Sequence, residues 1–204
     1  MNKLIIQSLE KYTFFGIVKL LYSFIRTKLL FKNARLIRFP IDLRGKKYIT
    51  INDGLTTGNY CRIEVIKFNT DILPSLKIGK NLQINNSVHI ACTHRVLIGD
   101  DVLIASNVFI TDHNHGNYSG NEEHDNPFSK PIERKINASP VTIGNRVWLG
   151  EHVCVLPGVT IGDGSIIGAS SVVNKNIPPN CIAAGNPAKI IKQFNFNTQK
   201  WEIV

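Results

Sequence analysis

Aliphatic side chains recur at every sixth position along two stretches of the chain, and this period restricts the fold more than any other feature. An α-helix would repeat its apolar face every three or four residues, and a half-buried strand every two. A period of six instead predicts a short strand and a tight corner in each repeat, with three repeats in each turn of a triangular solenoid. The repeating positions are Ile78, Ile84, Ile90, Ile98, Ile104 and Ile110, followed by Ile143, Leu149, Val155, Ile161, Ile167 and Val173.

Each repeat is expected to place one aliphatic side chain in the stacked interior. The residue that follows it is commonly Gly, Asn or Ala, which lets the chain turn without a steric clash. Because the end repeats of solenoids are atypical, Ile49, Leu55 and Cys61 predict an earlier, irregular turn. The period alone leaves the hand of the coil open.

Positive charge is concentrated near the N-terminus of the chain, whose formal net charge is +9. A basic segment of this kind indicates an acidic membrane surface, a phosphate-bearing ligand or nucleic acid. No nucleic-acid-binding motif accompanies the charges, so nucleic acid is not an expected partner. In the first fifty residues only Glu10 and Asp42 oppose the cations Lys3, Lys11, Lys19, Arg26, Lys28, Lys32, Arg35, Arg38, Arg44, Lys46 and Lys47.

The apolar residues between Leu4 and Phe31 are interrupted by several of these cations. No stretch therefore approaches the ~20 uncharged residues of a membrane span, and no signal-peptide cleavage site follows. The segment is predicted to form an amphipathic helix that either packs on the body of the protein or lies on an anionic membrane surface.

Composition is typical of a globular protein, with 43% hydrophobic and 19% charged residues. The four cysteines lie far apart without a CxxC pair, which argues against a zinc knuckle and a disulfide framework. Reduced, mostly buried thiols in a cytoplasmic protein are expected at Cys61, Cys92, Cys154 and Cys181.

A break in the repeat separates Ile110 from Ile143, and about 25 residues are predicted to leave the solenoid there as a long loop. Long excursions from a compact domain are commonly functional. This loop begins with Thr111-Asp112-His113-Asn114-His115-Gly116, which concentrates titratable groups at its base.

Several short motifs stand out in the second half of the chain. They are Val147-Trp148-Leu149-Gly150, Pro157-Gly158-Val159, Ile167-Gly168-Ala169-Ser170 and Gly185-Asn186-Pro187-Ala188-Lys189. With these motifs, the sequence from about residue 78 to 192 resembles the hexapeptide-repeat acyltransferases. Residues 35–40 and 54–58 extend the similarity over nearly the whole chain, toward the O-acetyltransferases of lipopolysaccharide O-antigen and capsule biosynthesis. The resemblance implies an all-β fold, a left-handed parallel β-helix, whose hand is the reverse of the usual crossover, and a homotrimer.

This resemblance divides the chain into three parts. An N-terminal amphipathic helical and basic segment is expected over residues 1–45. A left-handed β-helix acetyltransferase domain is expected over residues 46–192, with the loop 111–140 extruded, and a short tail over residues 193–204.

The implied reaction is acetyl transfer from acetyl-CoA to a sugar hydroxyl. An alcohol is a poor nucleophile until its proton is removed, and histidine suits that task near neutral pH. The resemblance matches His115 to the catalytic base, with His113 or Asp112 expected to orient its imidazole. A backbone N–H at Gly150 or Glu151 is expected to stabilise the oxyanion, although relatives commonly have a small residue where Glu151 stands.

The resemblance also assigns binding residues. Acceptor contacts are expected from Asn85, His113 and Trp148. For Asn85 a corner turn is an equal alternative, and Trp148 points outward, toward either a ligand or a subunit interface. Acetyl-CoA, which carries phosphates, is expected to bind between neighbouring subunits and to contact Glu151, Ala169, Asn174, Lys175 and Lys189.

Two other functions are compatible with the sequence. A carbonic anhydrase-like zinc enzyme on the same fold would need three histidines contributed across a subunit interface, for example His89, His94 and either His113 or His115; otherwise no metal is expected. A non-catalytic scaffold would use the basic N-terminus to dock on a membrane. The sequence does not specify the sugar, the hydroxyl or the carrier of the acceptor, nor whether a cytoplasmic enzyme also associates peripherally with the inner membrane.

Overall fold

The computed structural model describes residues 12–68 and 71–204, and in these ranges most of the chain forms short strands in parallel sheets. One α-helix, α1 (Phe14–Leu30), precedes them. Sheet 1 contains β1 (Leu36–Ile37), β4 (Thr56–Thr57), β7 (Gln83–Ile84), β10 (Leu103–Ile104), β15 (Trp148–Leu149), β18 (Ile166–Ile167) and β20 (Cys181–Ala184), then the antiparallel β21 (Lys189–Asn195) and β22 (Lys200–Ile203).

Sheets 2 and 3 complete each turn of the chain. Sheet 2 contains β2 (Ile41–Arg44), β5 (Cys61–Val65), β8 (His89–Cys92), β11 (Phe109–Thr111), β16 (Cys154–Val155) and β19 (Val172–Val173). Sheet 3 contains β3 (Ile49–Ile51), β6 (Ser75–Ile78), β9 (Arg95–Ile98), β14 (Val141–Ile143) and β17 (Thr160–Ile161). The chain visits sheets 1, 2 and 3 in that order, so that successive turns stack in register.

The interior contains two columns of side chains from each sheet, where one was expected. In sheet 3, Ile51 is paired with Ile78, and Ile49 with Leu76, two residues earlier. Both Leu76 and Ile78 are buried, because residues two apart on a strand point to the same face. Ile49, Leu55 and Cys61 do belong to an early turn, but they occupy the earlier column and not the column of the period-six isoleucines.

Corners combine a close approach between turns with a left-handed backbone residue. A Cβ on Gly79 would lie 2.3 Å from the carbonyl oxygen of Gly99 in the next turn, which explains why the residue after the inward aliphatic is small. Three residues after the aliphatic the chain adopts positive φ, as at Asn81, Asp101 and Asn107. The sequence pattern therefore located the corners and their small residues, but it did not reveal the residues with positive φ.

Helix α1 contacts the first turn of the coil through hydroxyl side chains. Ser23 and Thr27 are its buried residues, and Thr13 caps its N-terminus by accepting a hydrogen bond from the Gly16 N–H at 3.2 Å. The predicted N-terminal helix is thereby confirmed, but it turns a polar face to the body. Residues 1–11 of the predicted basic segment lie outside the described residues. No helix of the described residues is long and apolar enough to cross a membrane.

The break in the repeat lies between sheets 2 and 3. The antiparallel strands β12 (His113–His115) and β13 (Ile136–Ala138) pair with each other and with none of the parallel sheets among the described residues. A 3₁₀ helix (Pro131–Glu133) precedes β13, and another (Lys46–Tyr48) precedes β3. The segment 112–140 is therefore inserted between β11 and β14.

Candidate active site

The inserted segment is anchored at its base by Asp112, which is completely buried. Its carboxylate accepts backbone N–H groups of Thr93 (2.9 and 3.1 Å), His94 (2.8 Å) and Arg95 (2.8 Å), all from the corner between β8 and β9. Its own carbonyl accepts the Ser139 N–H at 2.7 Å, which closes the other end of the insertion. A single residue therefore ties both ends of the segment to the neighbouring turn.

Asp112 is held in its ionised form. Burial by itself would raise the pKa of the carboxyl group, but hydrogen bonds from His113 and from the backbone N–H groups of His94 and Thr93 outweigh it and hold the pKa below its ordinary value. The corner at Thr93 thus supplies donors for a permanent negative charge. No motif in the sequence indicates this corner.

His113 is the histidine that Asp112 contacts directly. Its Nδ1 lies 3.0 Å from Asp112 Oδ1, and the side chain is 17% exposed. Thr111 Oγ1 lies 3.2 Å from the same nitrogen. A buried carboxylate bonded to one ring nitrogen fixes the imidazole and leaves the other nitrogen available, which is the arrangement of a catalytic acid–histidine pair.

His115 occupies a different environment at the end of β12. It is exposed and lies opposite Ile136 in the hairpin, and its carbonyl accepts a hydrogen bond from the Tyr118 hydroxyl. Gly116 N–H donates to the Lys135 carbonyl at 2.9 Å, so the backbone beside the histidine is fixed on both sides of the hairpin. The imidazole of His115 makes no hydrogen bond within the described part of the chain.

A second group of the sequence-predicted residues lies along the edge between sheets 1 and 2. Asn85 follows β7 and is exposed, whereas the neighbouring Asn86 uses its Oδ1 to accept the Asn59 N–H at 2.9 Å. The Asn86 side chain is therefore committed to the corner, and the Asn85 side chain faces solvent.

Glu151 and Ala169 stack on this edge in successive turns. The Ser170 N–H donates to the Glu151 carbonyl at 2.7 Å, and the Gly150 N–H is consumed by the Ile167 carbonyl at 2.8 Å. The Glu151 N–H makes no backbone hydrogen bond among the described residues. Of the two candidate oxyanion donors, Glu151 is thus the one whose amide is available.

The remaining cofactor candidates are divided between two positions. Lys189 begins β21 beside Ala184 in sheet 1, and the preceding Ala188 donates its N–H to the Val172 carbonyl at 2.9 Å. Asn174 and Lys175 directly follow β19 and are exposed on the edge between sheets 2 and 3. This is the edge from which the segment with His113 and His115 is inserted.

Trp148 projects outward from sheet 1 and is 47% exposed. It lies between Leu103 and Ile166 in neighbouring strands of that sheet. The three side chains form an outward apolar stripe next to the edge with Asn85 and Glu151.

Within one chain the candidate residues are therefore separated onto two edges. Strands rise roughly 3.3 Å per residue, so the four-residue β8 keeps the edges on the order of 10–15 Å apart. The base candidates lie on the edge between sheets 2 and 3, and Asn85, Glu151 and Ala169 lie on the edge between sheets 1 and 2.

The histidines considered for zinc have other surroundings. His89 Nε2 lies 3.0 Å from Glu64 Oε1, and Arg62 also bonds Glu64 at 2.8 Å. The pKa of Glu64 is lowered because these hydrogen bonds outweigh the opposing effect of burial. Within residues 12–68 and 71–204, no three His, Cys, Asp or Glu side chains are grouped so that they could hold a metal ion.

Comparison with known proteins relates this geometry to transferases. A family model for the bacterial transferase hexapeptide (six repeats) matches residues 140–175. The chain is 41% identical over 199 residues, covering 98% of this chain and 99% of the other, to the Escherichia coli (strain K12) protein named "Putative lipopolysaccharide biosynthesis O-acetyl transferase WbbJ". It is 43% identical over 123 residues to the galactoside O-acetyltransferase of the same strain, covering 59% of this chain and 55% of that protein.

Solved structures agree on the architecture. The galactoside acetyltransferase in complex with coenzyme A is 31% identical with a TM-score of 0.51, covering 80% of this chain and 69% of that one. A point mutant of AntD, an N-acyltransferase from Bacillus cereus, gives a TM-score of 0.66 at 19% identity, covering 85% of this chain and 91% of that one. At that identity the second likeness concerns the fold alone. The resemblance expected from the motifs is confirmed: the chain belongs to the hexapeptide-repeat transferase family and is an acyltransferase.

Proposed function

We propose that this chain is an acetyl-CoA-dependent O-acetyltransferase that modifies a sugar hydroxyl in lipopolysaccharide O-antigen or capsular polysaccharide biosynthesis. The observation that carries the proposal is the similarity over nearly the full length of both chains to a protein named as an O-acetyl transferase of lipopolysaccharide biosynthesis. Two histidines on an anchored insertion supply the bases that such a reaction requires.

The architecture of this enzyme is completed by three further proposals. The coil is left-handed, as the resemblance implies, and the segment 111–140 projects from it as an extruded loop. The catalytic domain is residues 46–192, preceded by the basic helical segment 1–45 and followed by the tail 193–204. Strands β1 and β2 pair with β4 and β5, so the first segment also contributes an initial turn to the sheets.

The reaction is a direct transfer between two bound substrates. His115 takes the proton of the sugar hydroxyl, the oxygen attacks the thioester carbonyl carbon, and the carbon–sulfur bond then breaks. The Glu151 N–H stabilises the oxyanion, and the proton on His115 passes to the departing thiolate. At Cys61, Cys92 and Cys181 a covalent acyl-cysteine is disfavoured, because burial raises the pKa of these thiols and removes their nucleophilic form.

His113 receives a separate role as an acceptor-binding group. Its contact with Asp112 leaves Nε2 as the free ring nitrogen, which can hydrogen-bond a sugar hydroxyl beside the one that reacts. The same contact makes His113 the alternative base. Asn85 and Trp148 complete the acceptor site from the other edge, with a carboxamide for hydroxyl groups and an aromatic face for the apolar side of a sugar ring.

Coenzyme A is held by groups from both edges. The exposed Ala169 leaves room for the pantetheine arm to approach the backbone, and Asn174, Lys175 and Lys189 meet its polar and phosphate groups. Because these positions are divided between two edges of one chain, we propose a homotrimer in which one protomer's edge faces the other edge of its neighbour.

Co-expression of two impaired variants, assayed at an acetyl-CoA concentration well below the raised KM of Ala169→Leu, tests this division. His115→Ala damages one edge of the chain, and Ala169→Leu damages the other. If the active site lies between two chains, roughly one quarter of the sites in randomly mixed trimers combine the intact edge of one variant with the intact edge of the other. Recovery near that fraction supports a shared site. No recovery from trimers shown by native mass to be mixed would place the whole site within one chain.

The first experiment is thiol release from acetyl-CoA with a panel of sugars, nucleotide sugars and oligosaccharides. Acceptor-dependent release that falls about 10²–10⁴-fold in His115→Ala, and less in His113→Ala, supports His115 as the base. The reverse order would assign the base to His113. Absence of release with every acceptor would contradict the proposal and favour the zinc alternative, which metal analysis of the purified protein then tests.

The location proposed for the enzyme is the cytoplasm, with peripheral association at the inner face of the cytoplasmic membrane. Lipid-linked saccharides are presented at that surface, and such association would concentrate the enzyme near them.

A further inference from the structure

Helix α1 presents its apolar side chains to solvent. Its buried residues are Ser23 and Thr27, whereas Phe14 and Phe15 are each 75% exposed and Leu29 is 73% exposed. Surface helices normally turn their apolar stripe to the core, so this orientation is inverted. The exposed large apolar residues of the helix are Phe14, Phe15, Val18, Leu21, Tyr22, Phe24, Ile25, Leu29 and Leu30.

Specific hydrogen bonds fix this orientation. Thr27 Oγ1 accepts the Ile37 N–H at 2.8 Å and donates to the Ser23 carbonyl at 2.7 Å. Ser23 Oγ accepts the Phe39 N–H at 3.3 Å. Rotating the helix to bury its apolar face would leave these backbone groups of the first turn without partners, which is costly in the interior. These hydrogen bonds therefore keep the apolar face of α1 turned to solvent.

The segment that carries this face has charges of only one sign. Residues 12–41 contain no Asp or Glu, and their cations are Lys19, Arg26, Lys28, Lys32, Arg35 and Arg38. Asp42, the next acid along the chain, is paired with Arg44 at 2.7 Å. The segment thus combines a broad apolar surface with uncompensated positive charge.

A groove of about 470 Å³ lies between α1 and the first turn of the coil, next to the exposed apolar face of α1. Lys19 and Arg26 line it together with Tyr22 and Tyr60. The Arg26 guanidinium lies 4.2 Å from the centre of the Phe39 ring and donates to the Tyr22 hydroxyl at 2.8 Å, so its position is fixed. A phosphate-sized anion can approach two cations there.

We propose that the outward face of α1 docks on the surface of an anionic lipid bilayer. The apolar side chains enter the boundary between headgroups and acyl chains, the cations face lipid phosphates, and the groove receives a headgroup. Two copies meeting through like α1 faces are disfavoured, because each face would oppose six cations with no acid from the same segment. Contact with a different surface of a neighbouring copy is tested by the native mass below. The inference extends the membrane location in the proposed function, but vesicle binding requires neither acetyl-CoA nor an acceptor.

The test is flotation of the full chain with vesicles of phosphatidylglycerol and phosphatidylcholine, compared with vesicles of phosphatidylcholine alone. We expect binding to the anionic vesicles that weakens as salt is raised. Phe14→Ser combined with Phe15→Ser should reduce binding about tenfold or more, because both rings are exposed and support no core. The matched control is Phe128→Ser with Ile132→Ser, at side chains 93% and 79% exposed on the inserted segment, and it should bind as the wild type does.

Three results would overturn the inference. They are equal binding to both kinds of vesicle, unchanged binding of the Phe14/Phe15 variant, and a smaller native mass of that variant, which would assign the face to contacts between copies. Thiol release from acetyl-CoA with a water-soluble acceptor, measured on the Phe14/Phe15 variant used for flotation, should match that of the wild type. Failure of vesicle binding with intact release would leave the proposed reaction standing, and intact binding without release would leave the docking surface standing.

Discussion

Asp112→Asn tests whether one buried carboxylate holds the insertion in place. The amide keeps the shape of the side chain but loses its charge and one acceptor atom. With its oxygen at the position of Oδ2, it still accepts the N–H groups of His94 and Arg95, both at 2.8 Å. The Thr93 N–H keeps this oxygen as an acceptor at 3.1 Å, but at 2.9 Å it faces the NH₂ group, where two donors meet. The NH₂ group also faces His113 Nδ1 at 3.0 Å.

The expected loss in the free energy of unfolding follows from these contacts. Each of the three retained hydrogen bonds loses about 1 kcal/mol when its acceptor becomes neutral, and the donor–donor contact at Thr93 adds about 1 kcal/mol. Relief of the cost of burying the charge offsets part of this sum. We expect a net loss of about 2–4 kcal/mol, a large part of the 5–15 kcal/mol typical of a domain.

Urea unfolding followed by circular dichroism, at a fixed protein concentration because oligomers unfold in a concentration-dependent way, measures this loss. Thr93→Val is the matched control. It removes only the hydroxyl donor 3.3 Å from Asp112 Oδ1 and keeps the backbone N–H, so we expect a loss below about 1 kcal/mol. Equal stability of Asp112→Asn and wild type would refute the anchoring role.

The pH dependence gives an independent check. The pKa of Asp112 is lowered in the folded chain, so the stability it contributes is fully present above the unfolded value of about 3.9 and is lost as pH falls through the folded value. The stability difference between wild type and Asp112→Asn should therefore be constant from pH 7 to 5 and shrink below about pH 4. A difference that stays constant down to pH 3 would contradict an ionised Asp112.

Three further substitutions examine the coil and the proposed site. Gly79→Ala places a Cβ 2.3 Å from the Gly99 carbonyl oxygen, and should cost about 1–3 kcal/mol in urea unfolding; an unchanged midpoint would contradict the close stacking. Ala169→Leu adds bulk at an exposed corner, so the KM for acetyl-CoA should rise about tenfold or more with stability unchanged. Glu151→Gln keeps the backbone N–H, so kcat should change less than about threefold, whereas a loss of 10²–10³-fold would assign the carboxylate itself a role.

Much of the fold was predictable because its determinants are local. Every repeat must bury an aliphatic side chain and turn within six residues, so Ile78, Ile84 and Ile90 already specify a strand and a corner without reference to the rest of the chain. The break between Ile110 and Ile143 located the insertion for the same reason. The two-column interior was missed although the earlier column is equally periodic, with Val at eight successive repeats from Val88 to Val159 and Ser only at Ser165 and Ser171. A period of six does not state how many residues of each repeat point inward.

The candidate site was only partly predictable. His115 and Ala169 could be named from short motifs, but the partner of Asp112 could not, because Thr93 lies nineteen residues earlier and meets it only when two turns stack. The same applies to Asn85 and Asn86, whose different roles depend on the Asn59 N–H in a neighbouring turn.

The sequence by itself determined the period of the coil, the position of the insertion and the residue types gathered at its base. The tertiary structure decided which histidine receives the buried carboxylate, which edge of the prism holds each candidate residue, and which face of α1 meets the body. Periodicity indicates only which side chains point inward, because burying an inward side chain depends on the residues of its own repeat. Contacts between turns depend on the register in which they stack, and hydrogen bonds such as that from the Ile37 N–H to Thr27 form only after residues distant in the chain have been brought together.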